Sequence, residues 1–503
     1  MIRRISLLLL LPLLVQAQSL KDFEKKVTEF TLANGFHFIV MERHDAPVVA
    51  FHSLVNVGTV DDPAGESSMA HMFEHMIGKG TTSLGTTNWP EEQKALAAVE
   101  VAYDNLDEER WKGTTANAAR VHQLESELNA AIAKANGFVD QNAYIRVINE
   151  NGGVGFNAGT APDYTTYFYS LPSNRMELWF LMQSEWFRRP VFREFYKERD
   201  IVREERRMRV ESDVQGKLQE LLLGTAFLAH PYRNMIGWAS EIEALRASEA
   251  DKFFKKYYAP VNITIAIVGD ADPAQVKRLA EKYYGSIPAG SPPPPVTAVE
   301  PVQEGEKRVV VESDSQPLLT IAYKRPNQTD KDDAVFDVVS AILSGGRTAL
   351  MYKQLVTEKK IALEVDSSAT TPAGKYPNLF QLYSVPAPEH GVEENEKAVY
   401  AVIDGLKAER VDAVTLQRVK TKLRASLIRQ LDSNSGLAGQ LAFYRAEYGD
   451  WRMMFNSIDM IEKITADDVQ RVVRQWFVQS GRTVAYTVPV KAADKSGVKE
   501  VAK

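Results

Sequence analysis

The stretch GSIPAGSPPPPVTAVEP, residues 285–301, constrains the fold of this chain more than any other. Consecutive prolines lack backbone N–H groups and clash with a helical turn, so the run enters neither a helix interior nor a sheet. It divides 503 residues into two units, and a chain of this length already exceeds what one hydrophobic core organises. The two units rhyme. KRVVVESDSQPLLTIAYKRP repeats the strand, polar turn, proline, strand order of FHFIVMERHDAPVVAFHSLV. ITADDVQRVVRQWF resembles LRASEADKFFKKYY, and SGRTVAYTVPV resembles VNITIAIVGD. The expectation is an internal duplication of an α+β unit, residues 18–285 and 302–503, joined by a linker at 286–301.

Within the first unit, Phe30 to Thr59 reads as paired strands with Asn34-Gly35 as a two-residue turn. Residues 152–172, GGVGFNAGTAPDYTTYFYSLP, read as a strand beside a cleft, and VNITIAIVGD as a buried strand. MELWFLMQSEWF, FREFYKERDIVREERRMRVES and DPAQVKRLAEKYYGS read as helices. Residues 91–136, rich in Ala, Glu, Leu, Gln and Arg, read as two helices broken at Lys112-Gly113-Thr114.

The chain opens MIRRISLLLLLPLLVQAQS, a basic head, a short apolar run and small residues at a cleavage point. This reads as a signal peptide, residues 1–17, cut near Ala17, with a periplasmic or secreted product. A membrane anchor is the alternative, but the apolar run is too short to span a bilayer comfortably. Cysteine is absent, which excludes disulfides. The net charge of -6 implies no broad basic field and argues against nucleic acid as a partner.

Of only 8 histidines, two stand four apart in HMFEHMIGKG, residues 71–80. Ser67 or Ser68 can cap the start of a helix there. Residues i and i+4 share a helix face, so His71 and His75 can offer both imidazoles to one point, with Glu74 beside them. HxxEH is a zinc-peptidase arrangement, although two surface histidines near a turn are the plainer alternative. A catalytic zinc needs a third ligand and an open position. KERDIVREERR supplies Glu198, Glu204 and Glu205 on one charged helix; Glu198 and Glu205 share a face with Val202 between them, and Glu204 points elsewhere.

HMFEH, the following GKGT, residues 152–172, KERDIVREE, His230-Pro231-Tyr232 and FFKKYYAPVNITIAIVGD together resemble the inverted-zincin peptidases: pitrilysin, insulin-degrading enzyme, the mitochondrial processing peptidase and their half-length bacterial relatives. The resemblance covers nearly the whole chain after the leader. It implies a pitrilysin-like α+β fold of two homologous domains, each a mostly antiparallel sheet with helices packed on one side, the second lacking zinc residues. It also implies a zinc metalloendopeptidase binding one Zn2+ per chain through His71, His75 and Glu205, with Glu74 as general base and Glu198 supporting a ligand. A peptide would dock as an added strand beside Asn157 and Ala158. Because such enzymes enclose a chamber with four domains, a chain supplying two implies a partner. A non-catalytic structural or peptide-binding subunit of the same fold is the alternative function.

Two departures from the family pattern stand out. Glu205 follows His75 by 130 positions, well beyond the family's usual spacing, and the helical insertion at 91–136 accounts for most of the excess. The second half of active relatives carries an arginine and, seven residues on, a tyrosine that stabilise the oxyanion. The matching stretch here is TEKKIALE, with Thr357 and Glu364 at those positions. Lys359, Lys360 or Tyr383 would be out of register as substitutes. The expectation is therefore a heterodimer whose homologous partner supplies the Arg/Tyr pair, with a homodimer as the alternative.

Overall fold

The computed structural model describes residues 23–490, so the leader and its cleavage near Ala17 lie outside the described residues. The first sheet holds β1 (Val27–Thr31), β2 (His37–Glu42), β3 (Val48–Val55), β4 (Val154–Thr160), β5 (Thr165–Pro172) and β6 (Ile263–Gly269), in the order β1-β2-β6-β3-β5-β4. The second holds β7 (Lys307–Glu312), β8 (Leu319–Arg325), β9 (Ala362–Thr371), β10 (Asn378–Pro386) and β11 (Arg482–Val488), in the order β7-β11-β8-β10-β9. Without β1 the two orders are the same walk. In each, only the last strand in sequence lies parallel to a neighbour, β6 to β2 and β11 to β7, and the other pairs are antiparallel. The rhyme between the halves is a duplicated fold.

The helices that matter for the site are α1 (Met69–Met76), α2 (Trp89–Arg110), α3 (Ala118–Asn136), α4 (Met176–Arg188), α5 (Phe195–Arg206), α6 (Val214–Ala226), α7 (Ala247–Tyr257) and α8 (Pro273–Tyr284), followed in the second half by α9 (Asp333–Ser344) and α10 (Asn434–Tyr448). Alternate residues of the first sheet face two different cores. Phe38, Val40, Phe51 and Ile265 pack under α1, α4, α7 and α8. Ile39, Met41, Leu54, Ala266 and Val268 face the other way, onto Leu437, Ala438, Leu441 and Ala442 of α10. In return α6 lays Leu218, Leu222 and Leu223 against Val311, Ala322, Leu379 and Ala485 of the second sheet. Each half therefore has helices of its own on one face and covers the other face with a helix lent by its twin. This explains the unbroken apolar run of β6, ITIAIVG, which is buried on both faces.

Three local expectations change. Chain from Leu32 to Phe36 closes the β1–β2 hairpin, a loop longer than the two residues expected, with Gly35 at φ +108° inside it. β2 and β3 are not partners, because β6, more than two hundred residues later, inserts between them. The segment 152–172 is two strands, β4 and β5, turned at 161–164 rather than one. The segment 91–136 forms a helical hairpin in which α2 and α3 pack along each other, turning through Gly113–Thr115. Residues 288–304 carry no helix or strand. Even there Glu300 is pinned, accepting the backbone N–H groups of Leu228, Ala229 and His230.

Candidate metal centre

The site begins with α1. Met69, Ala70, Met72, Phe73 and Met76 bury one face of it, and Phe73 stacks on Phe253 and Tyr258. That burial orients the remaining face, which carries His71, Glu74 and His75. The helix start is not capped by serine as the sequence implied. Ser68 has a left-handed backbone, φ 75°, and makes no side-chain cap. Asp62 does the work from outside the helix, accepting Ser68 N at 2.7 Å and Ala70 N at 2.8 Å. Burial pushes Asp62 well above the usual carboxylate range, and these two amides pull against it; its part in the cap is to satisfy N-terminal N–H groups that the helix leaves unpaired.

Helix α5 packs against α1. It buries Phe195, Tyr196, Glu198 and Val202, so the face seen in the heptad from Glu198 to Glu205 is the one turned inward. Glu205 Oε2 stands 3.6 Å from His71 Nε2, and Glu205 Oε1 stands 3.6 Å from His75 Nε2. One ligand atom from each of the three residues lies within 4.8 Å of the others. Ligands about 2.0–2.2 Å from a single ion at tetrahedral angles are separated by about 3.3–3.6 Å, which fits two imidazole nitrogens and a carboxylate at this spacing. Glu205 Oε2 is buried with no hydrogen-bond partner; exposed Arg209 stands 3.4 Å away without bonding it, so the oxygen keeps a lone pair for a metal. Two imidazoles and a carboxylate are a zinc donor set. Glu204 faces solvent and pairs with Arg207 at 2.6 Å.

The electrostatics differ between the two histidines. Burial, helped by the charges of His75 and Arg209, lowers His71 to about 4 despite the pull of Glu205. Its lone pair is therefore free at neutral pH. Burial alone would lower His75 too, but a hydrogen bond to Glu198 and the charges of Glu205, Glu198 and Glu74 outweigh it and hold His75 above its usual value. Metal binding must displace that proton. Glu198 Oε2 lies 3.4 Å from His75 Nδ1, leaving Nε2 to face Glu205. On its other oxygen Glu198 takes Lys79 Nζ at 2.6 Å, and Lys79 also reaches Glu194 at 3.2 Å. These contacts keep Glu198 below the usual carboxylate range although burial pushes it up. Glu74 Oε2 is 3.9 Å from His71 Nε2, beside the metal position and half-buried.

Asn157 and Ala158 lie on β4, the edge strand next to α1, opposite Phe168 and Tyr167 of β5. Ala158 shares the face of Tyr167, whose hydroxyl reaches Phe73 O of α1 at 3.2 Å. A register shift between Val154 and Asn157 marks a bulge at the start of this edge. In the second half α9 occupies the place of α1 beside β9 and carries no histidine. Thr357 and Glu364 are both exposed, and Glu364 lies on edge strand β9.

Sequence reading missed Asp62, Lys79 and the lock that holds the helical hairpin in place. Lys79 had a signal: it follows His75 by four, in the quoted GKG. The lock had none. Arg193, 1% exposed, donates to Glu92 of α2, 0% exposed, at 2.8 Å, and to the carbonyls of Lys79, Thr81 and Leu84 just after α1.

Two family models match the chain. One described as Insulinase (Peptidase family M16) matches residues 130–238, and one described as Peptidase M16 inactive domain matches residues 244–423. The first match starts inside α3, so it includes Glu198 and Glu205 but not the HMFEH segment. The zinc protease PqqE of Helicobacter pylori is 25% identical over 478 residues, 93% of this chain and 94% of that protein. The crystal structure of a protease from Helicobacter pylori aligns with TM-score 0.77 and 23% identity, over 92% of this chain and all of that one. The periplasmic protease PqqL from Escherichia coli aligns with TM-score 0.67 and 16% identity, over 92% of this chain but 48% of that chain.

Proposed function

The chain has the two-domain architecture of an M16-family zinc peptidase, and on that premise we propose a mechanism in which Glu74 is the general base of a zinc-dependent endopeptidase. One observation carries the reading: His71, His75 and Glu205, drawn from two helices, converge on one point with the Glu74 carboxylate beside it. Zinc bound there would act as a Lewis acid and make water acidic near neutral pH. Glu74 takes the proton from the attacking water and returns it to the leaving amine. Glu198 holds the His75 ring by Nδ1 so that Nε2 stays aimed at the metal. The substrate adds to β4 as another strand, its backbone bonded to the unpaired edge, with the small Ala158 leaving room on the α1 side.

Beyond the single chain, we propose a heterodimer. Active sites of this class are closed by a second pair of domains, and this chain matches 48% of the longer PqqL chain. Thr357 is too short to reach across a chamber, and Glu364 would repel a developing oxyanion. A homologous partner with an Arg/Tyr pair supplies what those positions lack. The leader and the likeness to a periplasmic protease support a periplasmic site of action. Among the described residues no helix is long and apolar enough to cross a membrane.

The test is to purify the chain alone and with its homologue of similar length, measure zinc, and follow digestion of an unstructured peptide by mass spectrometry. One zinc per chain and activity that needs both the homologue and Glu74 support the reading. An isolated chain that dimerises and is fully active, unaffected by the homologue, overturns the heterodimer. Cleavage at the normal rate by Glu74→Gln overturns the base.

A further inference from the structure

We propose that Ser68 is a positioning residue for the metal ligand His71, accepting its Nδ1–H so that Nε2 keeps a free lone pair for zinc. The inference rests on the ligand set proposed above. Its ground is a likeness between the two imidazoles. Each presents Nε2 to Glu205, at 3.6 Å in both cases. Each also has a side-chain oxygen at Nδ1: Glu198 Oε2 at 3.4 Å from His75, and Ser68 Oγ at 3.5 Å from His71. Both are long contacts, of the kind that tighten when a site is filled. An imidazole that binds metal through one nitrogen donates its other N–H to a fixed acceptor, which sets the tautomer and the ring's orientation.

The hydroxyl has the right polarity for this. A serine has one O–H to donate, and Ser68 donates it to Ile236 O at 3.1 Å. The oxygen therefore turns lone pairs, not a hydrogen, toward His71. A hydroxyl proton aimed at Nδ1 instead would leave the ring proton on Nε2, the tautomer with no lone pair for a metal. The carbonyl that sets this direction comes from a loop far along the chain. That loop is fastened alongside, with Trp238 N donating to Ser67 Oγ at 2.9 Å.

The backbone points the same way. Ser68 is 0% exposed and left-handed, at φ 75°. That conformation is costly for a residue with a Cβ and open to glycine. Its surroundings enforce it: Ser68 N donates to Asp62 at 2.7 Å, and Ser68 O accepts Met72 N at 2.9 Å. Gly237 packs against the side chain so closely that a Cβ there would come 2.9 Å from Ser68 Cβ. Over-determined strain of this kind clusters at functional sites. Glycine would relieve it, and only the hydroxymethyl group would be lost.

Ser68→Gly and Ser68→Ala separate the hydroxyl from the backbone. Both lack the oxygen, but the first relieves the left-handed strain and the second keeps it. Without zinc, the glycine variant should melt above the alanine variant. Zinc affinity, measured on the full chain by competition with a chelator, should fall about tenfold or more in both, whatever the order of melting. In the zinc-loaded wild type, NMR should show a slowly exchanging Nδ1–H proton on each of the two histidines, and Ser68→Gly should lose the one on His71. Zinc affinity of Ser68→Gly within about twofold of wild type, or retention of both ring protons, would overturn the proposal and leave the contact as packing alone. A wild-type chain that binds no zinc would overturn the ligand set and this inference with it, so the two failures are distinct.

Discussion

Removing the carboxylate of Glu92 should unfasten the helical hairpin from the helix that carries the histidines. Arg193 and Glu92 are 1% and 0% exposed, joined by two hydrogen bonds of 2.8 and 3.2 Å. The remaining guanidinium donors go to Lys79 O at 2.6 Å, Thr81 O at 2.7 Å and Leu84 O at 3.0 Å. Glu92→Ala leaves Arg193 buried, charged and tied only to neutral carbonyls. Breaking a buried pair from one side costs roughly 3–5 kcal/mol, mostly the penalty of the abandoned charge. With a urea dependence of about 3 kcal/mol per molar for the half that contains it, the midpoint should fall by about 1–1.7 M. The assay is urea unfolding of the full chain followed by tryptophan fluorescence, with zinc content measured on the folded variant. Arg193→Met removes the charge and costs its own carbonyl bonds, so the double variant should be less destabilised than the sum of the singles, with a coupling of about 2 kcal/mol or more. A midpoint shift for Glu92→Ala below about 0.3 M, or strict additivity in the cycle, would refute the view that the pair is a lock.

Other outcomes follow from the site. Glu205→Gln should sharply reduce bound zinc, and Glu204→Gln should leave it nearly unchanged; the reverse result would reassign the ligand. Glu74→Gln should keep the fold and the zinc but slow peptide cleavage by roughly 100-fold or more, checked by initial rates at saturating peptide. His52, half-buried where its ring stacks on Phe168 and faces Gly439 of α10, is lowered to about 4 by loss of solvent around the ring. Unfolded chain takes up that proton below pH ~6.5, so the stability difference between wild type and His52→Gln should be constant above that value. It should shrink as pH falls from 6.5 toward 4 and level off below, by up to about 3 kcal/mol in all. A difference curve that is flat from pH 7 to 4 would contradict the burial of a neutral ring.

Much of the metal site was legible because its signals are local. His71 and His75 are one helical turn apart, and the apolar pattern of MAHMFEHM turns them to the same side. The heptad between Glu198 and Glu205 placed two carboxylates on one face and set Glu204 outside it, as the exposed Glu204–Arg207 pair reflects. That Glu205, rather than Glu198, meets both imidazoles came from family likeness and not from periodicity, since periodicity treats the two alike. The cap on α1 was misread for a related reason. A serine in the right place is a local sign, but Asp62 reaches the same amides from a loop whose path no local pattern reveals.

By itself, then, the sequence determined the elements, their duplication and the donor types: proline runs, apolar periods and the HxxEH spacing all act over a few residues, where backbone sterics and side-chain direction decide. Tertiary structure alone decided what those elements meet. β6 separates β2 from β3, α6 and α10 are exchanged between the halves, and Arg193 finds Glu92 across 101 positions. Such contacts are chosen by the burial of whole faces and by the need of buried charges for partners. Both are properties of the closed chain, and no short stretch of sequence carries them.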